Sequence, residues 1–283
     1  MNILVTGANG QMGQELQRLS KLGGANYIFT DIEMLDITKM HDVEEFIKGH
    51  NIDTIINCAA YTNVDRAEEE SDIAERINGD AVRILADLAK QNDIKLIHIS
   101  TDYVFGYSYN SPIVEDTPTT PLSVYGRTKA IGEKAIIESG CRYVIVRTSW
   151  LYSAYGKNFV KRILELARKT NELKVVDDQI GSPTYAADLA IVIKEIAENE
   201  LNDIQGIYHY SSEGAISWYT FASAIVELSN TPCTIYPCSS REYRTAAVRP
   251  PYSVLDKTKI KKELGIDIPL WKDSLAECLK KIE

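Results

Sequence analysis

Through the first half of the chain, short apolar runs alternate with segments whose apolar positions recur at helical spacing. Residues 3–6, 27–30, 54–57, 95–100 and 143–148 are rich in Ile, Val, Leu and Thr, and read as strands. Between them lie helical periods at 13–22, 42–48, 72–91 and 123–139. The longest places Ile73, Ile77, Ile84, Leu85 and Leu88 on one face. Strands separated by helices predict a parallel sheet covered on both faces, and near-continuous apolar strands fit that burial.

After Trp150 the rhythm changes. Helices are predicted at 158–169, 188–199, 218–228 and 270–282, with short strands at 174–176 and 207–210; Arg249-Pro250-Pro251 reads as a loop. The expectation is a dinucleotide-binding unit at 1–148, joined by a return helix near 185–199. A smaller C-terminal α+β lobe at 149–184 and 200–283 would bind substrate. No repeats and no low-complexity tract interrupt this order.

Composition narrows the functions. The chain has 283 residues, 45% hydrophobic and 25% charged, an ordinary globular balance. No apolar run reaches the roughly 20 residues that span a bilayer. The start, Met1-Asn2-Ile3-Leu4-Val5, lacks the basic lead and cleavage site of a signal peptide, so no membrane and a cytoplasmic location are expected. Five scattered cysteines and four isolated histidines give neither a disulfide framework nor metal-ligand spacing, and no metal is expected. A net charge of −9 argues against a nucleic-acid surface. It leaves room for an anionic small molecule held by a few local donors.

Thr6-Gly7-Ala8-Asn9-Gly10-Gln11-Met12-Gly13 follows the first strand and opens the first helix. Its GxxGxxG spacing is a variant of the dinucleotide fingerprint, and makes the predicted sheet a Rossmann-type, doubly wound one. Gly7 permits the turn, Gly10 lets the backbone approach a pyrophosphate and Gly13 lets the helix pack closely. The helix N-terminus offers free amides to the phosphates. Asp31 ends the second strand, where a ribose-binding carboxylate belongs. It would accept from both ribose hydroxyls and repel a 2′-phosphate, which favours NADH over NADPH. A solvated turn aspartate is the plainer alternative. Asn57-Cys58-Ala59-Ala60 closes the third strand with small residues, which either leave room for adenosine or simply pack.

Tyr125-Gly126-Arg127-Thr128-Lys129 is YxxxK, and positions four apart share a helix face. An ammonium beneath the phenol, with the positive oxidised nicotinamide, would lower its pKa. Tyr125 could then give a proton to a ketone oxygen as hydride reaches carbon. Thr101, at the carboxyl end of the fourth strand, could donate to the same oxygen, with Ser100 as the runner-up.

Together these residues resemble the extended short-chain dehydrogenase/reductase family, and within it the branch that forms dTDP-rhamnose. Residues 10–16, 59–65, 100–105, 121–126, 147–150 and 178–184 carry the likeness, among them Ser100-Thr101-Asp102-Tyr103-Val104-Phe105 and Arg147-Thr148-Ser149-Trp150. The resemblance implies reduction of the C4 keto group of dTDP-6-deoxy-L-lyxo-4-hexulose by NADH or NADPH. It implies that Thr101 and Tyr125 hold the keto oxygen, that Lys129 supports Tyr125 and that Trp150 lies against the sugar. Asp102 and Tyr103 join them on the substrate side, and Arg249 would grip the diphosphate. Gly10, Gln11, Met12, Asp31, Asp36, Ile37, Ala59, Ala60, Tyr61 and Thr62 match cofactor-contacting positions. Some members pair through magnesium-binding glutamates. Glu15 matches one such position, but Ala186-Ala187-Asp188 departs from its partner's acidic pattern, which leaves a homodimer without a bridging metal. The competing readings are a sugar-nucleotide epimerase or dehydratase, and a non-catalytic subunit resembling the β subunit of methionine adenosyltransferase.

Overall fold

A computed structural model describes residues 1–106, 109–199 and 204–282. The first half runs β1 (Asn2–Thr6), α1 (Gln11–Ser20), β2 (Asn26–Thr30), α2 (Met40–His50), β3 (Thr54–Asn57), α3 (Ser71–Glu75), α4 (Ala81–Gln91), β4 (Lys95–Thr101), α5 (Val124–Ser139) and β5 (Arg142–Thr148). The second half runs β6 (Leu151–Tyr152), α6 (Phe159–Ala167), β7 (Glu172–Val176), β8 (Ile180–Gly181), β9 (Thr184–Tyr185), α7 (Ala186–Glu198), β10 (Gly206–Tyr210), β11 (Ile216–Ser217), α8 (Trp218–Leu228), β12 (Thr234–Cys238), α9 (Thr258–Leu264) and α10 (Trp271–Ile282).

Six strands form one parallel sheet in the order β10-β5-β4-β3-β1-β2. Alternate side chains explain why both faces are covered. Ile3, Val5, Ile56, Ile97, Val144 and Val146 point to a core with Leu16 and Leu19 of α1 and Leu189 and Ile193 of α7. Leu4, Ile55, Leu96 and Ile145 point to the opposite core, with Val43 of α2, Leu85 of α4 and Ile136 of α5. The strand order reverses between β1 and β3, and such a reversal opens a crevice beyond the strands' carboxyl ends.

The C-terminal lobe has its own core, where Val160 and Ile163 of α6, Phe221 and Ile225 of α8 and Leu275 and Leu279 of α10 meet. Parallel β7 and β12 edge this core. One expectation is corrected here. The sequence pattern assigns residues 207–210 to this lobe, but β10 pairs with β5 and extends the large sheet, where Tyr208 and Tyr210 are buried in its core. Helix α9, absent from the sequence reading, covers the same face through Ile260 and Leu264. The expected lobe boundary at residue 200 lies outside the described residues.

The helix expected over 72–91 is interrupted by a π turn at Arg76–Asp80 between α3 and α4. Such turns accommodate a close neighbour. Here α5 is that neighbour: a Cβ on Gly132 would strike the Asn78 carbonyl, and one on Gly79 would lie 3.0 Å from Ile131. The Asn78 side chain then takes the Tyr61 amide (2.9 Å) and donates to the Tyr61 carbonyl and the Thr128 hydroxyl (both 3.1 Å).

Candidate active site

A cavity of about 810 Å³ opens over the strand-order reversal. Its floor is the glycine turn. Gly7 has φ +66°, and a Cβ there would lie 2.6 Å from the Ala59 amide nitrogen. Gly13 closes against the turn itself, since its Cβ would lie 2.5 Å from the Ala8 Cα. Gly10 caps α1, its amide bonded to the Gly7 carbonyl at 3.0 Å. The first-turn amides that a helix cannot satisfy internally therefore face a cavity lined by Gly10, Gln11 and Met12. These glycine-flanked amides at a helix N-terminus fit a pyrophosphate.

Asp31, Asp36, Ile37, Ala59, Ala60 and Thr62 also line the cavity. Asp31 does more than wait for a ligand. Its carboxylate accepts from the Asn9 amide at 2.9 Å and the Ile32 amide at 2.8 Å, and so fixes the glycine turn. Each oxygen keeps a second lone pair for a hydroxyl. Asp36 accepts from the amide and hydroxyl of Thr38. Tyr61 is not in the lining. Asn78 holds its backbone, and its hydroxyl donates to Glu70.

Tyr125 and Lys129 both line the cavity, so the YxxxK spacing does put them on one wall. Ser123 caps α5 by accepting from the Gly126 amide at 3.1 Å. Gly126 lets the helix press against the Tyr103 carbonyl, where any Cβ would clash. The Tyr103 and Tyr125 rings meet edge to face at 5.6 Å. Thr101 ends β4, accepts from the Tyr103 amide at 3.2 Å and donates to Asp102 at 3.1 Å. It caps the short 3-10 turn Asp102–Val104 and lines the cavity as well. Ser100 is committed elsewhere: its hydroxyl donates to the buried Glu133, which also pairs with Arg147 at 2.7 Å.

Burial sets the charges. It pushes the Tyr125 phenol up to about 12, against the Thr101 hydroxyl, which pulls it down. Burial lowers Lys129 to about 8, opposed by Glu133 and Cys58. Burial raises Asp102 to about 7, opposed by the Ser253 and Thr101 hydroxyls. In the ligand-free protein the phenol therefore keeps its proton. The Lys129 amine lies instead against the Ile99 carbonyl (2.7 Å) and His98 Nε2 (3.1 Å).

The far wall comes from the C-terminal lobe. Trp150 stacks on Trp218 with ring centres 3.5 Å apart, and both line the cavity. Trp150 has φ +49°, a strained conformation for a bulky residue. Gly181 makes room for its ring, since a Cβ there would lie 2.6 Å from the indole. Trp218, Gly181 and Asn158, which binds Gln11 at 3.0 Å, were missed by the sequence reading. Only the tertiary fold brings them to the site. Arg249 does not line the cavity. It donates to Asp65 through its two terminal guanidinium nitrogens, at 2.7 and 3.2 Å. Glu15 is buried, bound by Ser153 at 2.8 Å and by Arg18 at 3.2 Å.

Comparison with known proteins agrees with this geometry. The family model described as RmlD substrate binding domain matches residues 1–283. The spore coat polysaccharide biosynthesis protein SpsK of Bacillus subtilis (strain 168) is 40% identical over 98% of this chain and 96% of its own length. A dTDP-4-dehydrorhamnose reductase of Burkholderia thailandensis is 38% identical over 99% of this chain and 98% of its own. The crystal structure of dTDP-4-dehydrorhamnose reductase from Bacillus anthracis str. Ames in complex with NADP superposes with a TM-score of 0.92, at 37% identity and 99% coverage of both chains.

Proposed function

The chain belongs to the RmlD substrate binding domain family, and we propose that it reduces the C4 keto group of dTDP-6-deoxy-L-lyxo-4-hexulose to give dTDP-L-rhamnose. The observation that carries this reading is the convergence of the glycine turn, Thr101, Tyr125 and Lys129 on one cavity. A nicotinamide dinucleotide supplies the hydride when bound. Gly7, Gly10, Gln11, Met12 and Gly13 cradle its phosphates, with Asp36, Ile37, Ala59, Ala60 and Thr62 beside them and Tyr61 behind.

Thr101 and Tyr125 orient the keto oxygen. Tyr125, protonated at neutral pH because burial raises its pKa, donates to that oxygen as charge develops there. Trp150, braced by Trp218, gives the sugar a flat wall. Asp102 and Tyr103 complete the substrate side, and Arg249 turns from Asp65 to the diphosphate. Asp31 favours NADH, because its carboxylate at the adenosine end would repel a 2′-phosphate. In this reading the sheet unit holds cofactor, and α6, α8, α10, β7 and β12 form the substrate lobe. The enzyme works in the cytoplasm with its five cysteines as free thiols, as a homodimer without a bridging metal. Nucleic acid has no part in it, consistent with the net charge of −9. Among the described residues, no helix is long and apolar enough to cross a membrane.

The test is loss of NADH absorbance with the enzymatically prepared keto-sugar nucleotide, with the product identified. Tyr125→Phe should cost roughly 10²–10⁴-fold in kcat while NADH still binds. No turnover with any deoxy-keto-sugar nucleotide, together with a stable protein partner, would reject the reading in favour of a binding module.

A further inference from the structure

The cofactor end of the cavity is short of positive charge. Asp31, Asp36 and Asp102 line the cavity, whereas Lys129 and Lys157 are the only lysines or arginines in its lining among the described residues. Lys129 is committed at the reaction centre, to the Ile99 carbonyl at 2.7 Å and to His98. A dinucleotide brings a doubly anionic pyrophosphate. The glycine turn meets it with amides, which donate but are neutral, and with a helix dipole worth about half a charge. Asp31 sets a carboxylate against the same turn, at the Asn9 amide. A free cation is what this end lacks.

Lys157 is placed to supply one. It stands just before α6, between Gly156 and Asn158, and both neighbours rest on Gln11, the first residue of α1. Gly156 has φ +65°, and a Cβ there would lie 3.2 Å from Gln11 Cγ. Asn158 Nδ2 donates to Gln11 Oε1 at 3.0 Å and to the Ser153 carbonyl at 2.7 Å. Asn158 Oδ1 accepts from the Lys161 amide at 3.1 Å and so caps α6. One turn further along α1, Glu15 accepts from the Ser153 hydroxyl at 2.8 Å. The 153–158 turn is thereby fixed against the helix whose first amides face the cavity. The Lys157 side chain is exposed, lines the cavity and has no carboxylate partner among the described residues. Its ammonium is a point charge on a flexible four-carbon stem, and it can turn to an anion without first breaking an ion pair. Arg249 is the contrast, since it must leave Asp65.

We propose that Lys157 donates from its ammonium to the pyrophosphate of the nicotinamide dinucleotide, opposite the amides of the glycine turn. The C-terminal lobe then takes part in holding the cofactor. The segment that carries Trp150 to the sugar also carries Lys157 to the phosphates, so a bound dinucleotide tethers the wall against which the sugar lies. The inference rests on the dinucleotide part of the proposed function and not on the sugar.

Titration calorimetry on the intact protein tests it without turnover. NADH and NADPH share the pyrophosphate, so Lys157→Ala should weaken both by about 10-fold, the low end for a hydrogen bond to a charged group because this one is exposed and screened. Lys157→Arg keeps the charge and should stay within about 3-fold of the natural chain. Added salt should narrow the gap between the natural chain and Lys157→Ala, which loss of a merely structural side chain would not do. dTDP, titrated separately, should bind both proteins equally. Dinucleotide affinity unchanged in Lys157→Ala would overturn the inference, as would an equal loss in Lys157→Arg. A loss confined to dTDP would assign the lysine to the sugar nucleotide's diphosphate and overturn it too. The expected losses without turnover of any keto-sugar nucleotide would fail the reductase reading and uphold this inference.

Discussion

The two ends of the cavity are built by different means. At the cofactor end, one contiguous stretch makes the turn, and its glycines are required by backbone: Gly7 by φ +66° and the Ala59 amide, Gly13 by Ala8 and the Gly7 carbonyl. At the sugar end, Trp150, Gly181 and Trp218 come from separate segments, and the close approach is between a glycine and an aromatic ring. Backbone cannot give way without dismantling the sheet, whereas a ring can turn. The first end should be intolerant of change and the second adjustable.

Gly7→Ala should break this contrast most severely. Strain and overpacking against fixed backbone should cost about 100-fold or more in NADH affinity, measured by titration calorimetry. Gly181→Ala should cost about 1–3 kcal/mol of stability by denaturant unfolding and raise the KM for the sugar nucleotide, with NADH affinity kept. Equal losses of NADH affinity in the two variants would erase the distinction.

Asp31→Ala sharpens the cofactor end. It should weaken NADH by about 10-fold, the scale of a charge-assisted hydrogen bond, and NADPH much less. An equal loss for both would remove Asp31 as the discriminating group and leave it only its role in fixing the turn. The smallest effect is expected of Arg249→Ala, because the guanidinium must first leave Asp65. A rise of about 3- to 5-fold in the sugar-nucleotide KM, with NADH affinity unchanged, is the expected outcome, on the scale of a modest net hydrogen bond. Unchanged substrate kinetics would assign Arg249 to joining the C-terminal segment to the 59–65 loop.

Much of the site was legible because it is local. A helix repeats every 3.6 residues, so Tyr125 and Lys129 had to share a wall once α5 formed. A strand followed by glycines and a helix had to present amides at its turn. What stayed hidden depends on distant partners. Nothing near Ile207 says that it joins β5 rather than the smaller lobe, since a short apolar strand fits either sheet. The π turn at Arg76–Asp80 answers a neighbour on α5.

The sequence alone determined the alternation of strand and helix, the glycine turn and the residue types of the reaction centre, because each follows from spacing along one chain. Tertiary structure decided which charges those residues carry. Tyr125 keeps its proton because burial outweighs the help it receives, and Lys129 meets His98 because three strands pair in one register. Desolvation and hydrogen-bond direction depend on what surrounds an atom in space, and spacing along the chain does not encode that.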